Sequence, residues 1–225
     1  MDQLDSTVLK ILRFKEWCLV HERKFVTDRL TEQLMHMDEH IALSKEVADK
    51  LVTLLENHKL PLKASENGKK VLVVATTSDS RLAAAKDMAN LVTQKFYYFY
   101  NSVKRYAQDA ELFLVNEDPT EAQFSEIANI CDRYDEIIYI TFVRILSYKK
   151  GSGTVPESQV KLLNMLKDRN CSLTTVIAGN PYVAKKLPVT DNVLCTYCDN
   201  KYSLDTASDV LFGNKKAMGK LPVSI

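Results

Sequence analysis

The sequence predicts an α/β fold, a three-layer sandwich with a mostly parallel sheet, preceded by a helical arm. Two observations lead to this prediction. From residue 69 onward, short apolar runs alternate with segments of helical spacing, and repeated strand–helix units form parallel sheets with helices on both faces. Residues 1–68, in contrast, contain no convincing strand. We therefore expect two parts, an arm over residues 1–68 and a sandwich domain over residues 69–225.

The arm has two segments in which apolar residues recur at the spacing of an amphipathic helix. These residues are Val8, Leu9, Ile11, Leu12 and Phe14, and then Leu43, Val47, Ala48, Leu51, Leu54 and Leu55. We expect the two helices to wrap onto another surface. Gly68 then separates the arm from the first strand.

The sandwich domain opens with the wholly apolar run 71–75, which predicts a strand buried on both faces. The other predicted strands are 111–115, 137–143, 172–178, 192–196 and a short final strand at 221–225. The predicted helices are 80–106, 120–132, 156–168 and 203–212. Pro156 suits the first turn of its helix, and Gly213 suits the end of the last one.

The composition is ordinary for a soluble globular protein, with 46% hydrophobic and 26% charged residues. A formal net charge of +1 gives no electrostatic reason to expect nucleic acid or an anionic membrane as a partner. No apolar run reaches the ~18 residues of a membrane span. The first residues do not read as a signal peptide. The compartment of the parent protein stays open, and the periplasm and secretion are both compatible with the sequence.

Two short patterns have both a metal or redox interpretation and a structural one. Cys195 and Cys198 form a C-x-x-C pair, which suits a redox pair or half of a zinc site. No second pair follows, and we interpret Cys195 as a buried strand residue. His36 to His40 fits H-x-x-E-H, a zinc-peptidase pattern, but no third ligand is marked. We therefore predict no metal and no cofactor.

The aromatic run 96–100 offers a surface on which a sugar ring can stack. Five successive helical residues must point all round the helix, however. We predict that Phe96, Phe99 and Tyr100 pack inward and that the other two face solvent or a neighbouring domain.

Ligands of open parallel sheets bind beyond the carboxyl ends of the strands. Gly151 and Gly153 lie there, where dinucleotide folds bind phosphate, but the loop is too long and we favour a simple turn. Arg144, Lys149 and Lys150 are the basic residues clustered at this edge. We predict that they bind an acidic or acetamido sugar; the alternative is a solvated loop.

Several short motifs follow one another in a fixed order along the chain. The last third contains VIAGNPY at 176–182, LP at 187–188 and GKLPVSI at 219–225; the first third contains DSTVLKILRFKEW at 5–17, EHIAL at 39–43 and LPL at 60–62. In order and spacing these motifs closely resemble the second domain of glycoside hydrolase family 3, together with the helix and connector that precede it. The resemblance spans nearly all of the chain.

The resemblance implies a place downstream of a barrel domain that carries an Asp nucleophile. It implies the accessory domain of a retaining β-glycosidase that removes terminal sugars. In the β-glucosidase branch of the family, the loop after the third strand carries a catalytic Glu. Here no carboxylate lies between Glu136 and Glu157, and Glu157 falls in the first turn of a helix. This departure points to the β-N-acetylhexosaminidase branch, whose acid/base is a His on the barrel.

We therefore predict that this chain has no catalytic residue and is inactive alone. Its expected partners are the barrel domain and, through the arm, a second copy of itself. The alternative is a stand-alone, flavodoxin-like module that binds a small ligand. A barrel encoded immediately upstream would distinguish the two.

Overall fold

The structure, a computed structural model, describes residues 2–22, 28–35, 37–63, 68–78, 94–148 and 150–221. The chain divides into two compact units, Met1–Leu43 and Ser44–Ile225. The first unit contains α1 (Asp2–Trp17) and α2 (Asp28–Met35). A third helix, α3 (Asp38–Leu51), begins in the first unit and ends in the second.

The second unit is built on one six-stranded sheet with the order β1-β6-β5-β4-β2-β3. The strands are β1 (Thr53–Asn57), β2 (Val71–Thr77), β3 (Glu111–Asn116), β4 (Glu136–Val143), β5 (Ser172–Gly179) and β6 (Asn192–Cys195). Strands β2 to β6 pair in parallel, and β1 pairs antiparallel with β6. The mostly parallel sheet is confirmed.

Helices cover both faces of this sheet because its central strands are apolar on both sides. The helices are α4 (Lys95–Lys104), α5 (Glu121–Ile130), α6 (Glu157–Lys167) and α7 (Lys201–Leu211). Apolar side chains of α4 and α7 pack with Val73 and Ala75 of β2 on one face. Those of α5 and α6 pack with Leu72 and Val74 on the other. The three-layer sandwich predicted from the sequence is therefore confirmed.

One strand lies where the sequence predicted none. Residues 53–57 form β1, which pairs with β6 in the register Thr53 to Cys195. The prediction that residues 1–68 contain no strand is therefore wrong. One edge strand of the sandwich therefore comes from the segment that the sequence assigned to the arm. The sequence suggested a helix there because Leu54 and Leu55 continue the leucine spacing of α3.

Other predicted elements agree with the structure within a few residues where it describes them. The prediction of one helix over residues 80–106 is wrong, because Gln94 is extended and α4 begins only at Lys95. Residues 79–93 lie outside the described residues. The final strand 221–225 lies almost entirely outside them. Phe96 and Phe99 are buried as predicted, while Tyr100 is partly buried. Within the described part of the chain, no helix has the length and apolarity to span a membrane.

Candidate functional site

The carboxyl ends of β2 to β6 meet at one edge of the sheet, where a crevice of about 750 Å³ opens. Strands β3 and β4 lie on either side of β2, so the chain adds its next strand first on one side of β2 and then on the other. Ligands of other open α/β sheets bind at such a switch point. This strand-end crevice is lined by residues that include Ser78, Lys95, Glu117, Asp118, Thr141, Arg144, Tyr148, Ser152, Gln159, Lys186 and Asp199.

Arg144 is held in one orientation at the wall of the crevice. It follows β4 directly, and its Nε and Nη2 donate to the two carboxylate oxygens of Asp199 at 2.8 and 3.3 Å. Lys95, the first residue of α4, also donates to Asp199. A bidentate carboxylate contact fixes the plane of a guanidinium group. Arg144 is thus a positioned cation, although half of its side chain is exposed.

The structure describes two of the three basic residues predicted to bind a sugar, Arg144 and Lys150. Arg144 lines the crevice, whereas Lys150 is exposed and does not line it. Lys149 lies outside the described residues. Sequence reasoning missed Lys95 and Asp199, which come from distant parts of the chain and fix Arg144.

The loop between β4 and α6 is closed by its own hydrogen bonds. The Ser152 hydroxyl donates to the Leu146 carbonyl and accepts from the Leu146 amide, both at 2.9 Å. Gly151 and Gly153 have φ angles of 80° and 79°, which glycine adopts without strain. These φ angles agree with the interpretation of the two glycines as part of a turn. The Ser152 hydroxyl between them is already engaged by Leu146.

The Gly179-Asn180-Pro181 turn after β5 supports this loop. A Cβ on Gly179 would lie 2.0 Å from the Val143 carbonyl oxygen, so only glycine fits there. The Asn180 side chain donates to the Gly153 carbonyl at 2.6 Å and accepts from the Tyr182 amide at 3.2 Å. The turn therefore ties the end of β5 to the loop that carries Arg144.

Gln159 is the buried polar centre beneath the crevice. Its Oε1 accepts from the hydroxyls of Tyr139 at 3.0 Å and Thr141 at 2.9 Å. Its Nε2 donates to the Glu117 carbonyl at 2.7 Å. Burial raises the pKa of the Tyr139 phenol far above its ordinary value, so this hydroxyl stays a donor. One side chain on α6 thus joins the ends of β3 and β4.

The carboxylates near the crevice come from the loops after β3 and β6 and from the start of α6. Glu117 and Asp118 follow β3, and Asp118 accepts from the Ser158 hydroxyl. Glu157 is the first residue of α6; its side chain is 69% exposed and 3.7 Å from Lys186 Nζ. Among the described residues of the loop between β4 and α6, none is acidic. The loop therefore offers no carboxylic acid as a proton donor.

An exposed apolar rim borders the crevice and an adjoining depression of about 600 Å³. The strand-end rim consists of Ile145, Tyr148 and Tyr182, all exposed, with Tyr148 at 85%. Next to it, Tyr197 has a φ of 56° and its hydroxyl lies 2.9 Å from Thr53 Oγ1. Exposed aromatic side chains gathered at one edge mark a surface suited to a sugar or to another protein surface.

The structure describes both cysteines of the C-x-x-C pair but only part of the histidine pattern. Cys195 is fully buried on β6, as interpreted from the sequence, and burial raises the pKa of its thiol to about 11. His36 lies outside the described residues. Within the described part of the chain, no group of three or more His, Cys, Asp or Glu side chains is placed to hold a metal ion.

The fold and the motifs at this edge can be compared with known proteins. A sequence profile described as the glycosyl hydrolase family 3 C-terminal domain matches residues 52–225, which is most of the chain. The chain belongs to the glycosyl hydrolase family 3 C-terminal domains. The matched part of this family 3 domain begins at Val52, directly before β1. A comparison with curated protein sequences gives no match.

Solved structures of family 3 enzymes have the same fold as this domain. A family 3 β-N-acetylglucosaminidase from Paenibacillus sp. str. FPU-7 is similar with a TM-score of 0.73 and 19% identity, over 100% of this chain and 40% of the enzyme. A β-glucosidase from Listeria innocua is similar with a TM-score of 0.66 and 16% identity, over 94% of this chain and 31% of the enzyme.

A further similar structure is the β-glucoside phosphorylase BglX, with a TM-score of 0.70 and 19% identity, over 100% of this chain and 39% of that protein. At these identities the likeness shows the fold alone. This chain also spans less than half the length of each of these proteins. The activity of a whole enzyme does not follow from a match of this extent.

Proposed function

We propose that this chain is the accessory C-terminal domain of a family 3 β-N-acetylhexosaminidase and is inactive without its barrel domain. The strand-end crevice carries the proposal: it holds a positioned arginine and an exposed apolar rim but no acid on the loop between β4 and α6. Such an edge suits the closure of an active site whose reacting carboxylate is elsewhere.

Arg144 is the residue that we propose to contact the sugar. Its Nε and Nη2 are engaged by Asp199, and its Nη1 has no hydrogen-bond partner among the described residues. Arginine stays charged at every physiological pH and cannot act as an acid or base. It can donate a hydrogen bond to the carbonyl oxygen of an acetamido group. Its role would be recognition, with proton transfer left to the barrel.

The strand-end rim is the part that we propose to face the barrel domain. Ile145 and Tyr182 expose large apolar surfaces on loops whose backbone is fixed by hydrogen bonds. Hydrophobic and aromatic residues gathered on a surface favour association with another surface. The barrel would bring the Asp nucleophile that the family resemblance implies and that a retaining mechanism needs.

Hydrolysis of an aryl β-N-acetylglucosaminide tests this proposal. The chain alone should show no turnover, and a parent enzyme that contains the barrel should release the aryl group. In that parent, Arg144→Leu should raise KM about tenfold, the effect expected for losing one hydrogen bond from a charged donor. Lys150→Leu is the matched control, since Lys150 is exposed outside the crevice. Turnover by the chain alone would disprove the accessory role.

A further inference from the structure

A second cavity, of about 730 Å³, lies at the opposite edge of the sheet from the strand-end crevice. Its wall includes the first residues of β4 and β5, which are Glu136 and Ser172. Four cationic side chains, Lys59, Lys69, Lys167 and Arg169, also line it. This amino-edge cavity has no part in the function proposed above.

Two buried polar atoms at this cavity have no hydrogen-bond partner within the described structure. They are Glu136 Oε2 and Ser172 Oγ, on residues that are only 5% and 8% exposed. The two residues face each other across the β4–β5 pair. The other oxygen of Glu136 accepts from Lys69 Nζ at 2.9 Å. Because buried polar groups are almost always satisfied, this acceptor and this hydroxyl are candidate contacts for a polar ligand group.

The remaining groups at the cavity determine which ligand chemistry fits. Asp135 and Asp191 already accept from the backbone amides of Lys70 and Leu173, both at 2.9 Å. Lys59 pairs with Asp191 at 3.0 Å. Both oxygens of Asp191 and one oxygen of Asp135 are therefore occupied by the protein itself.

Arg169 pairs with Asp132 at 3.1 Å, whereas Lys167 has no partner among the described residues. The cavity thus offers one unmatched cation beside an acceptor and a hydroxyl that both lack partners. A ligand that fits must carry an anionic group and a hydroxyl group together.

We propose that the amino-edge cavity binds a phosphorylated sugar. One sugar hydroxyl donates to Glu136 Oε2 and accepts from the Ser172 hydroxyl. The phosphate lies against Lys167 and Arg169. The long side chain of Lys69, which is 39% exposed, turns outward to admit the sugar, and a second sugar hydroxyl donates to Glu136 Oε1 in place of the lysine. No covalent step is involved.

Isothermal titration of the chain with glucose 6-phosphate tests the proposal, with glucose and inorganic phosphate titrated separately. Glucose 6-phosphate should bind and should raise Tm with concentration. It should bind more tightly than either fragment. Ser172→Ala and Lys167→Ala should each weaken binding about fivefold or more, the loss expected for one hydrogen bond. Lys161→Ala, an exposed residue of the same helix outside the cavity, should leave binding unchanged.

The stability of the ligand-free Ser172→Ala variant separates a ligand site from an internal hydrogen bond. A hydroxyl without a partner stabilises nothing, so its removal should leave Tm unchanged or raise it. A clear fall in Tm would show that the hydroxyl bonds Glu136 in solution and would overturn the proposal. The absence of any heat or Tm shift with glucose 6-phosphate would overturn it too, as would equal affinity for inorganic phosphate.

Discussion

Gln159 is the single residue whose loss should most disturb the strand-end crevice. Gln159→Leu would leave the Tyr139 and Thr141 hydroxyls without their acceptor and the Glu117 carbonyl without its donor. We expect the free energy of unfolding to fall by about 2–4 kcal/mol, because several buried polar groups lose their partners at once. Urea unfolding measures this change. Lys161→Ala on the exposed face of α6 is the control, and an equally small effect of both would contradict the buried role.

Glu157 is the residue whose substitution tests the branch of the family proposed above. It is mostly exposed at the start of α6, where a carboxylate favours the helix dipole. In the full-length enzyme, Glu157→Gln should leave kcat nearly unchanged on an aryl β-N-acetylglucosaminide. A general acid contributes about 100-fold or more to turnover. A loss of that size would show that Glu157 is catalytic and that the branch proposed here is wrong.

At the scale of elements, the sequence predicted the strands and helices with strong local patterns. The first five residues of β2 are all apolar, and the capping box of Thr120 and Gln123 fixes the start of α5 locally. The sequence analysis missed strand β1 because only Val52 separates it from α3 and because its partner, β6, lies far along the chain. Edge strands of this kind depend on tertiary pairing more than on intrinsic propensity.

The segment after α7 is fastened to α3 by an ion pair that should respond to acid. Lys215 Nζ lies 2.6 Å from Asp49 Oδ1, which also accepts from Thr206 at 2.7 Å. Burial raises the pKa of Asp49, but the hydrogen bonds from Lys215 and Thr206 outweigh it, and the net pKa is lowered. The stabilisation is therefore present above the unfolded pKa and is lost as the pH falls through the lower folded pKa.

Asp49→Asn should accordingly cost stability at neutral pH and little in strong acid. Both side chains are more than a third exposed, so solvent screening limits the loss to about 0.5–1 kcal/mol. Urea unfolding of the two proteins at neutral pH and below the ordinary pKa of an aspartate measures the difference. Glu126→Gln, at an exposed position of α5, is the matched control. A difference that persists undiminished in acid would contradict the assignment to this carboxylate.

At the scale of the whole molecule, the order of short motifs predicted more than any single pattern did. It led to the family, which the sequence profile bears out, whereas the alternation of strands and helices led to the sandwich, which the structure bears out. It did not predict that Asp199 and Lys95 would fix Arg144, because that contact joins three distant segments of the chain. Side-chain pairs of this kind follow from the packed fold and carry no local signal.

Helix α1 presents an apolar surface that should make the separate chain associate with itself. Its exposed side chains include Leu4, Ile11, Leu12, Phe14 and Trp17, with Trp17 at 78%. Surfaces of this kind on a soluble protein mark a place where a partner binds. Asp5 lies near one end of α1, and Arg13 and Lys15 lie near the other. Two copies packed antiparallel would therefore match opposite charges as well as cover apolar side chains.

Sedimentation of the chain over a concentration series should thus show a reversible monomer–dimer equilibrium. Ile11→Glu should shift it to the monomer, because a charge buried in an apolar contact is costly. Ser6→Glu adds the same charge to an exposed position that carries no large apolar group and should leave the equilibrium in place. A barrel domain that covers this surface should abolish self-association in the full-length enzyme. If the separate chain stays monomeric at every concentration, α1 is not the contact surface inferred here.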